Sequence, residues 1–237
     1  MIYSRSLKCI FIHIHKTGGS SMEIALDPYL SWDDLVLGST VLGEAMNDAY
    51  RRRHGLHKHS AIEDVRRVCG DQVVSSSYCF AMVRHPVDRA CSLYNFVGSI
   101  VAKWSVNTGV SLEVLRQDLP RFAKAHPPLS WPASRAFILS RSFDEFLERS
   151  ELASDDAFKT QLSRLSLPGL GLVCDALKLE EIGTWLPNLS HRLGRTLSVQ
   201  HENASGQKFV SSKTISDGAR SRLQSMFAQD FVAFGYA

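Results

Sequence analysis

Two short apolar runs, each breaking into a turn and then a helix, constrain this chain more than any other feature. The first is Leu7 to Ile14 (LKCIFIHI), followed by the glycine turn His15 to Ser21 (HKTGGSS) and a helix beginning Ser21 to Leu26 (SMEIAL). The second is Tyr78 to Val83 (YCFAMV), which runs into Arg84, His85 and Pro86 before a helix over Val87 to Val97. Runs this short and this apolar read as buried strands. Pro86 suits a first helical position, where its missing N–H is not needed. Strands alternating with helices predict an α/β fold, a three-layer sandwich with a central, mostly parallel sheet flanked by helices.

The rest of the chain fits that frame. Ala61 to Cys69 has helical spacing and is stopped by Gly70. His126 to Pro132 (HPPLSWP) is a proline-rich break, and Phe143 to Arg149 is a short helix. Leu165 to Leu172 reads as a loop, Leu172 to Leu179 as a further strand region, and Glu181 to Leu193 as a helix ending at Gly194. His201 to Ser212 is a polar loop, and Ser216 to Phe231 is a terminal amphipathic helix. There is no internal repeat. With 237 residues the chain is long enough for a single domain, 1–237, in which 98–170 is a helical and loop insertion on the substrate side.

The first turn has the chemistry of an anion site. A helix N-terminus offers unpaired N–H groups and the positive end of the dipole. Gly18 and Gly19 let the backbone curl, Lys16 adds a cation, and Thr17, Ser20 and Ser21 add hydroxyls, which together suit phosphate or sulfate. The order of residues is not that of a Walker A loop, because the lysine precedes the glycines and none follows them. The glycines and lysine alone are also compatible with an ordinary strand-to-helix turn. In the second unit Arg84 lies at the carboxyl end of a strand, the edge where open parallel sheets bind ligands. A guanidinium there grips a phosphate with two N–H bonds, and Ser92 on the following helix adds a donor. Taken alone, Arg84 is equally well paired with Asp88.

Both units together, IFIHIHKTGGSS and FAMVRHPVDRACSLYNF, resemble the sulfotransferases that use 3′-phosphoadenosine-5′-phosphosulfate (PAPS), in the branch of carbohydrate sulfotransferases and their bacterial relatives. The resemblance implies a P-loop-like sandwich. Lys16, Thr17, Gly18, Gly19, Ser20 and Ser21 would hold the 5′-phosphosulfate, and Arg84 and Ser92 the 3′-phosphate. His57 to Ala61 (HKHSA) with the helix after it, Asp175 to Glu181 (DALKLEE), His201 to Gly206 (HENASG) and Asp230 to Tyr236 (DFVAFGY) resemble further family segments. The family often has proline where His15 stands and asparagine where His85 stands.

The resemblance further implies a sulfuryl donor, PAPS, and a hydroxyl-bearing acceptor such as a glycan or another small molecule. Some relatives carry a catalytic histidine between the two nucleotide motifs. Here that interval holds His59, the expected general base, and His57, the second choice, with His54, His13 and His15 as weaker rivals. Lys16 would stabilise charge on the leaving oxygen. Arg51, Arg52 and Arg53 read as a solvated basic face, and Trp104 and Trp131 as core or lid packing with sugar stacking as the sharper alternative. Lys208, Lys213 and Arg220 fall where relatives close over the nucleotide or substrate, and no role is assigned to them.

The histidines at 54, 57 and 59 lack the neighbouring cysteines or carboxylates of a zinc site, so no metal is expected. A formal charge of +3 is too small to imply nucleic acid as a partner. Five scattered cysteines without a CxxC pair fit reduced thiols, and no apolar run approaches the roughly 18 residues of a membrane span. A cytoplasmic enzyme is expected. A nucleotide kinase or phosphotransferase, or a nucleotide-binding relative without activity, is the competing reading.

Overall fold

A computed structural model describes residues 1–199 and 208–237, so the HENASG segment lies outside the described residues. The chain forms two units: Met1–His85 with the described part of Thr160–Asn203, and Pro86–Lys159 with the described part of the C-terminal stretch.

The first unit opens with β1 (Ile2–Ser4) and β2 (Cys9–Ile12), the latter buried at all four positions. α1 (Gly19–Leu26) follows, then β3 (Leu35–Val36) and α2 (Val41–His54). Thr40 caps α2 by accepting the Gly43 N–H, and Gly55 ends it in the left-handed conformation, φ 71°. α3 (Ile62–Cys69) starts where the Asp64 carboxylate accepts the Ala61 N–H at 2.8 Å. α4 (Asp71–Ser76) then leads into β4 (Tyr78–Val83).

The second unit begins at α5 (Pro86–Thr108), with Pro86 at its first position, and runs well past the predicted end at Val97. α6 (Leu112–Gln117), α7 (Leu119–Ala125), α8 (Pro132–Leu139) and α9 (Phe143–Glu148) follow, with a 3₁₀ turn over Pro127–Ser130 in the proline-rich break. The chain re-enters the first unit with α10 (Gln161–Leu165), the small hairpin β5 (Ser166–Leu167) and β6 (Gly171–Leu172), β7 (Asp175–Lys178) and α11 (Ile182–Leu193). In the second unit the predicted terminal helix is two helices, α12 (Asp217–Met226) and α13 (Ala228–Phe234). They part at Phe227, which is 2% exposed and carries the Arg89 guanidinium 5.0 Å from its ring centre. The core there is helical, built on Val87, Leu93, Val97, Leu115, Phe146 and Leu223.

The α/β class holds, but the sheet is mixed rather than mostly parallel. Its five strands run β3–β1–β2–β4–β7. β2, β4 and β7 are parallel neighbours, whereas β1 is antiparallel to both β2 and β3. The difference arises at the N-terminus, where only Arg5 to Lys8 separate β1 from β2. A connection that short forces a hairpin, since parallel neighbours need a crossover of a dozen or more residues. The sheet core packs Phe11 and Phe80, 5.2 Å between ring centres, with Met22, Leu26, Met82, Trp185 and Leu189. The segment read as a loop over Leu165 to Leu172 contains the β5–β6 hairpin.

Candidate functional site

The parallel strands β2 and β4 run in register, Ile12 beside Ala81, so their carboxyl ends deliver residues 13–18 and Arg84 to the same sheet edge. The loop after β2 turns left-handed at two positions. Lys16 has φ 65° and Gly18 φ 84°, with Thr17 between them outside the positive region. Alternating handedness of this kind turns successive backbone N–H groups to one side, a concavity suited to anions. Lys16 holds a conformation that costs a residue with a Cβ roughly 1–2 kcal/mol. Such strain is a pointer to function.

Gly18 is the N-cap of α1, and among the described residues no side chain caps that helix. Gly19 sits tight against His13: a methyl group added there would overlap the imidazole. The Thr17 hydroxyl turns inward, fully buried, and donates to the Ile14 carbonyl at 3.0 Å. The Ser39 hydroxyl donates to Ser20 Oγ at 2.8 Å, and the buried Ser21 donates its N–H to the Gly18 carbonyl at 3.1 Å. Of the three hydroxyl residues expected to face a ligand, Thr17 therefore builds the loop itself.

Cations gather at this edge. Burial first, and then the positive charges of Arg84 and Lys58, lower the Lys16 ammonium from 10.5 to about 8. Arg84 Nη1 reaches the Lys16 carbonyl at 3.4 Å. Its backbone is held on both sides by the fully buried Gln161, which accepts the Arg84 N–H at 2.9 Å and donates its amide to the Arg84 carbonyl at 2.8 Å. The next N–H, of His85, goes to Glu180 at 2.7 Å. Lys58 is placed by its own N–H, donated to Asn47 at 2.7 Å, and its ammonium lies 3.4 Å from Glu44.

The histidines named from the sequence sort themselves. His13, His15 and His59 form one cluster: His15 stacks on His59 at 3.5 Å between ring centres and 25° between planes, and His13 meets His59 edge-on at 4.6 Å. His59 Nδ1 lies 2.9 Å from the His13 carbonyl. A carbonyl only accepts, so the ring proton sits on Nδ1 and the lone pair on Nε2. Burial, with His13 and His15 as neighbours, holds His59 well below the usual imidazole pKa, so it is neutral at pH 7. Arg164 fixes the same residue from the other side by donating to its carbonyl. His57 instead shapes the turn: its Nδ1 accepts the His59 N–H at 3.2 Å, and its own N–H goes to the Ser60 hydroxyl at 2.9 Å. His54 ends α2, its ring 5.4 Å from that of Tyr50.

Behind the cluster lies Glu23, which is completely buried on α1. It accepts the Ser39 N–H at 2.7 Å and the Met1 nitrogen at 3.0 Å. His13 Nδ1 is 2.9 Å from it but angled out of regular hydrogen-bond geometry. Burial pushes the Glu23 carboxyl up, yet His13, the Met1 nitrogen and the Ser39 N–H outweigh that and hold it well below the carboxylate range.

Glu23, Lys58, Arg164 and Gln161 were missed as site residues. Only Lys58 had a local signal, its place in the HKHSA turn between the two expected histidines. Ser92 is carried by the second unit, half-buried on α5. There Trp104 packs against Phe122 at 5.4 Å, and Trp131, 43% exposed, lies parallel to Phe96 with 6.5 Å between ring centres. Arg220 donates to the Ser212 carbonyl at 2.5 Å. Among the described residues no helix is long and apolar enough to cross a membrane. Comparison of the chain with family models, with curated proteins and with solved structures finds no match.

Proposed function

We propose that this protein is a sulfotransferase that moves the sulfuryl group of PAPS to a hydroxyl acceptor, with a carbohydrate as the acceptor class. The observation that carries the reading is the half-buried Lys16, its pKa brought down to about 8 by desolvation and by Arg84 and Lys58, in a loop whose backbone turns left-handed at Lys16 and Gly18. Like charges held together at a helix N-terminus are stabilised by a multiply charged anion. The resemblance of the two strand–turn–helix motifs narrows that anion to a phosphosulfate nucleotide.

In this reading Lys16 and the loop N–H groups bind the phosphosulfate and stabilise charge on the leaving phosphate oxygen. Arg84, its backbone clamped by Gln161, binds the 3′-phosphate. The acceptor oxygen bonds to sulfur as the bridge to the 5′-phosphate breaks, and the acceptor proton passes to His59 Nε2. His59 suits the task because it is neutral and its Nδ1 proton is already committed to the His13 carbonyl. His57 is the poorer base, because its Nδ1 is occupied by the His59 N–H. The role of Ser92 rests on the sequence resemblance alone.

Calorimetry with the product nucleotide 3′-phosphoadenosine-5′-phosphate (PAP) tests the reading, followed by transfer from labelled PAPS to a panel of hydroxyl acceptors. Saturable PAP binding without Mg²⁺, weakened in Lys16→Ala and Arg84→Ala, supports it. Absence of PAP binding, or tighter binding of ATP with Mg²⁺, would overturn it in favour of a phosphotransferase.

A further inference from the structure

Two cysteines of the first unit meet across the sheet. β4 and β7 are parallel neighbours with Phe80 beside Asp175, which sets Cys79 beside Cys174 one residue earlier. Residues in register project to the same face. The two side chains share a hydrogen bond. Both are free thiols, shielded from solvent by the sheet and its cover. The Cys79 sulfur lies beside α4, 3.8 Å from the Val74 carbonyl oxygen. Cys9 is on the adjoining strand β2, but its register partner on β4 is Tyr78, so its side chain leaves the opposite face. Cys69 ends α3, and Cys91 belongs to α5 of the second unit.

The placement fits a disulfide. Neighbouring strands lie about 4.8 Å apart, inside the Cα separation of roughly 4.4–6.8 Å that a disulfide spans. Closing the bond brings the sulfurs to about 2.05 Å. Cys174 has the freedom to make that approach, because it sits in a bend ahead of β7 and the ladder with β4 begins at Asp175. β7 is the edge strand of the sheet, with β4 as its neighbour. Beyond its carboxyl end, Leu179 Cδ1 lies where a Cβ on Gly18 would be 3.1 Å away, and Glu180 accepts the His85 N–H at 2.7 Å. A covalent tie at the amino end of β7 therefore holds the strand that carries both contacts.

We propose that Cys79 and Cys174 are a reversible redox site: hydrogen peroxide oxidises the pair to a disulfide that ties the edge strand β7 to β4, and an external dithiol reduces it again. The Cys174 S–H donates to Cys79, which favours thiolate at Cys79 and keeps the proton on Cys174. The Cys79 sulfur attacks one peroxide oxygen as the O–O bond breaks, giving a sulfenic acid and water. The Cys174 sulfur then bonds to the Cys79 sulfur as the S–O bond breaks, and the sulfenic oxygen leaves as a second water with the Cys174 proton. The pair gives up two electrons and two protons, and peroxide takes both. In the reverse step a dithiol supplies them and becomes a disulfide itself. This inference is independent of the sulfotransferase reading and stands or falls separately from it.

The full chain, reduced and then treated with excess hydrogen peroxide and catalase, tests it by thiol titration in denaturant, peptide mass spectrometry and thermal unfolding. Three of the five thiols stay titratable, and the digest contains the Cys79 and Cys174 peptides joined to each other. The Tm rises by several degrees on oxidation, because the cross-link constrains the unfolded chain, and returns when dithiothreitol is added. Cys79→Ala and Cys174→Ala each abolish the joined peptides and the reversible rise, while circular dichroism shows their helix content unchanged. Five titratable thiols in the peroxide-treated wild type overturn the proposal. So does a bond from either cysteine to Cys9, Cys69 or Cys91, a sulfinic acid in place of the bond, or a Tm that fails to rise as the bond forms.

Discussion

Lys16 gives the proposed anion site a pH signature that can be worked out in advance. Its ammonium is lowered from 10.5 to about 8, by burial first and by Arg84 and Lys58 after it. A bound multivalent anion offsets the two neighbouring charges and returns the ammonium toward its ordinary value, so protonation and binding are linked. The shift of 10.5 − 8 = 2.5 units sets the ceiling, about 300-fold in affinity or about 3.4 kcal/mol. The sign follows from which form binds. The charged lysine binds, so affinity is full below about 8 and falls as pH rises through that value. Between about pH 7 and about pH 9.5 the loss is roughly 30-fold, since only a few per cent of the free protein then carries the charge. Folding stability without ligand moves the opposite way. The unfolded chain binds the extra proton between about 8 and 10.5, so the stability of wild type relative to Lys16→Met rises across that window. Titration calorimetry of PAP at several pH values reads the first effect, and urea denaturation of both proteins reads the second. A PAP affinity that stays flat across the range, or one that falls equally in Lys16→Met, refutes the reasoning.

Three further outcomes are expected. His59→Ala loses roughly 10²–10⁴-fold in turnover while PAP affinity stays within error of wild type, measured by single-turnover transfer and calorimetry. Because His59 titrates well below 6.5, wild-type turnover holds level as pH falls to that value. Arg84→Ala weakens PAP binding by roughly 10- to 100-fold, the worth of its charged hydrogen bonds, read in the same calorimeter. Glu23→Gln destabilises the fold by about 3 kcal/mol in urea at neutral pH, since the buried carboxylate that accepts the Ser39 N–H and the Met1 nitrogen is removed. The depressed Glu23 carboxyl contributes stability above its unfolded value of 4.5, so the gap between wild type and variant closes as pH drops below that value.

The parts of the fold that were legible in the sequence are those set by local patterns. YCFAMV is an unbroken apolar run between polar neighbours, and β4 has its limits at Tyr78 and Val83. The Gly70 and Gly194 stops, and Pro86 at the head of α5, are conformational preferences of single residues and are found where expected. β1 was not legible, because a three-residue strand next to Arg5 and Lys8 has too short an apolar pattern to register. Its antiparallel pairing, and with it the mixed character of the sheet, went unread for the same reason. The site divides in the same way. The glycine loop and Arg84 sit on contiguous motifs, so they were visible. Glu23 is a carboxylate in the middle of a short apolar helix, and its role depends on Ser39 and His13 arriving from elsewhere. Gln161 lies 77 residues from the arginine it holds, a distance no local pattern spans. Thr17 looked like a ligand donor because a hydroxyl beside glycines has that chemistry, but the tight loop needs it for the Ile14 carbonyl.

The double hydrogen bond between Gln161 and Arg84 has a consequence for how the chain tolerates change. Pro86–Lys159 leaves the first unit directly after His85, and the chain returns at Thr160. Departure and return are thus tied by the Gln161 amide and, inside the second unit, by the buried Arg89, which donates to the Ala157 and Lys159 carbonyls at 2.7 Å, so the excursion is a closed stem. The entropy of closing such a stem grows only slowly with its length. The exposed turn between α5 and α6 can lengthen or diverge at little entropic cost, whereas the helices that carry Val87, Leu93, Val97, Leu115 and Phe146 are held by the core they build.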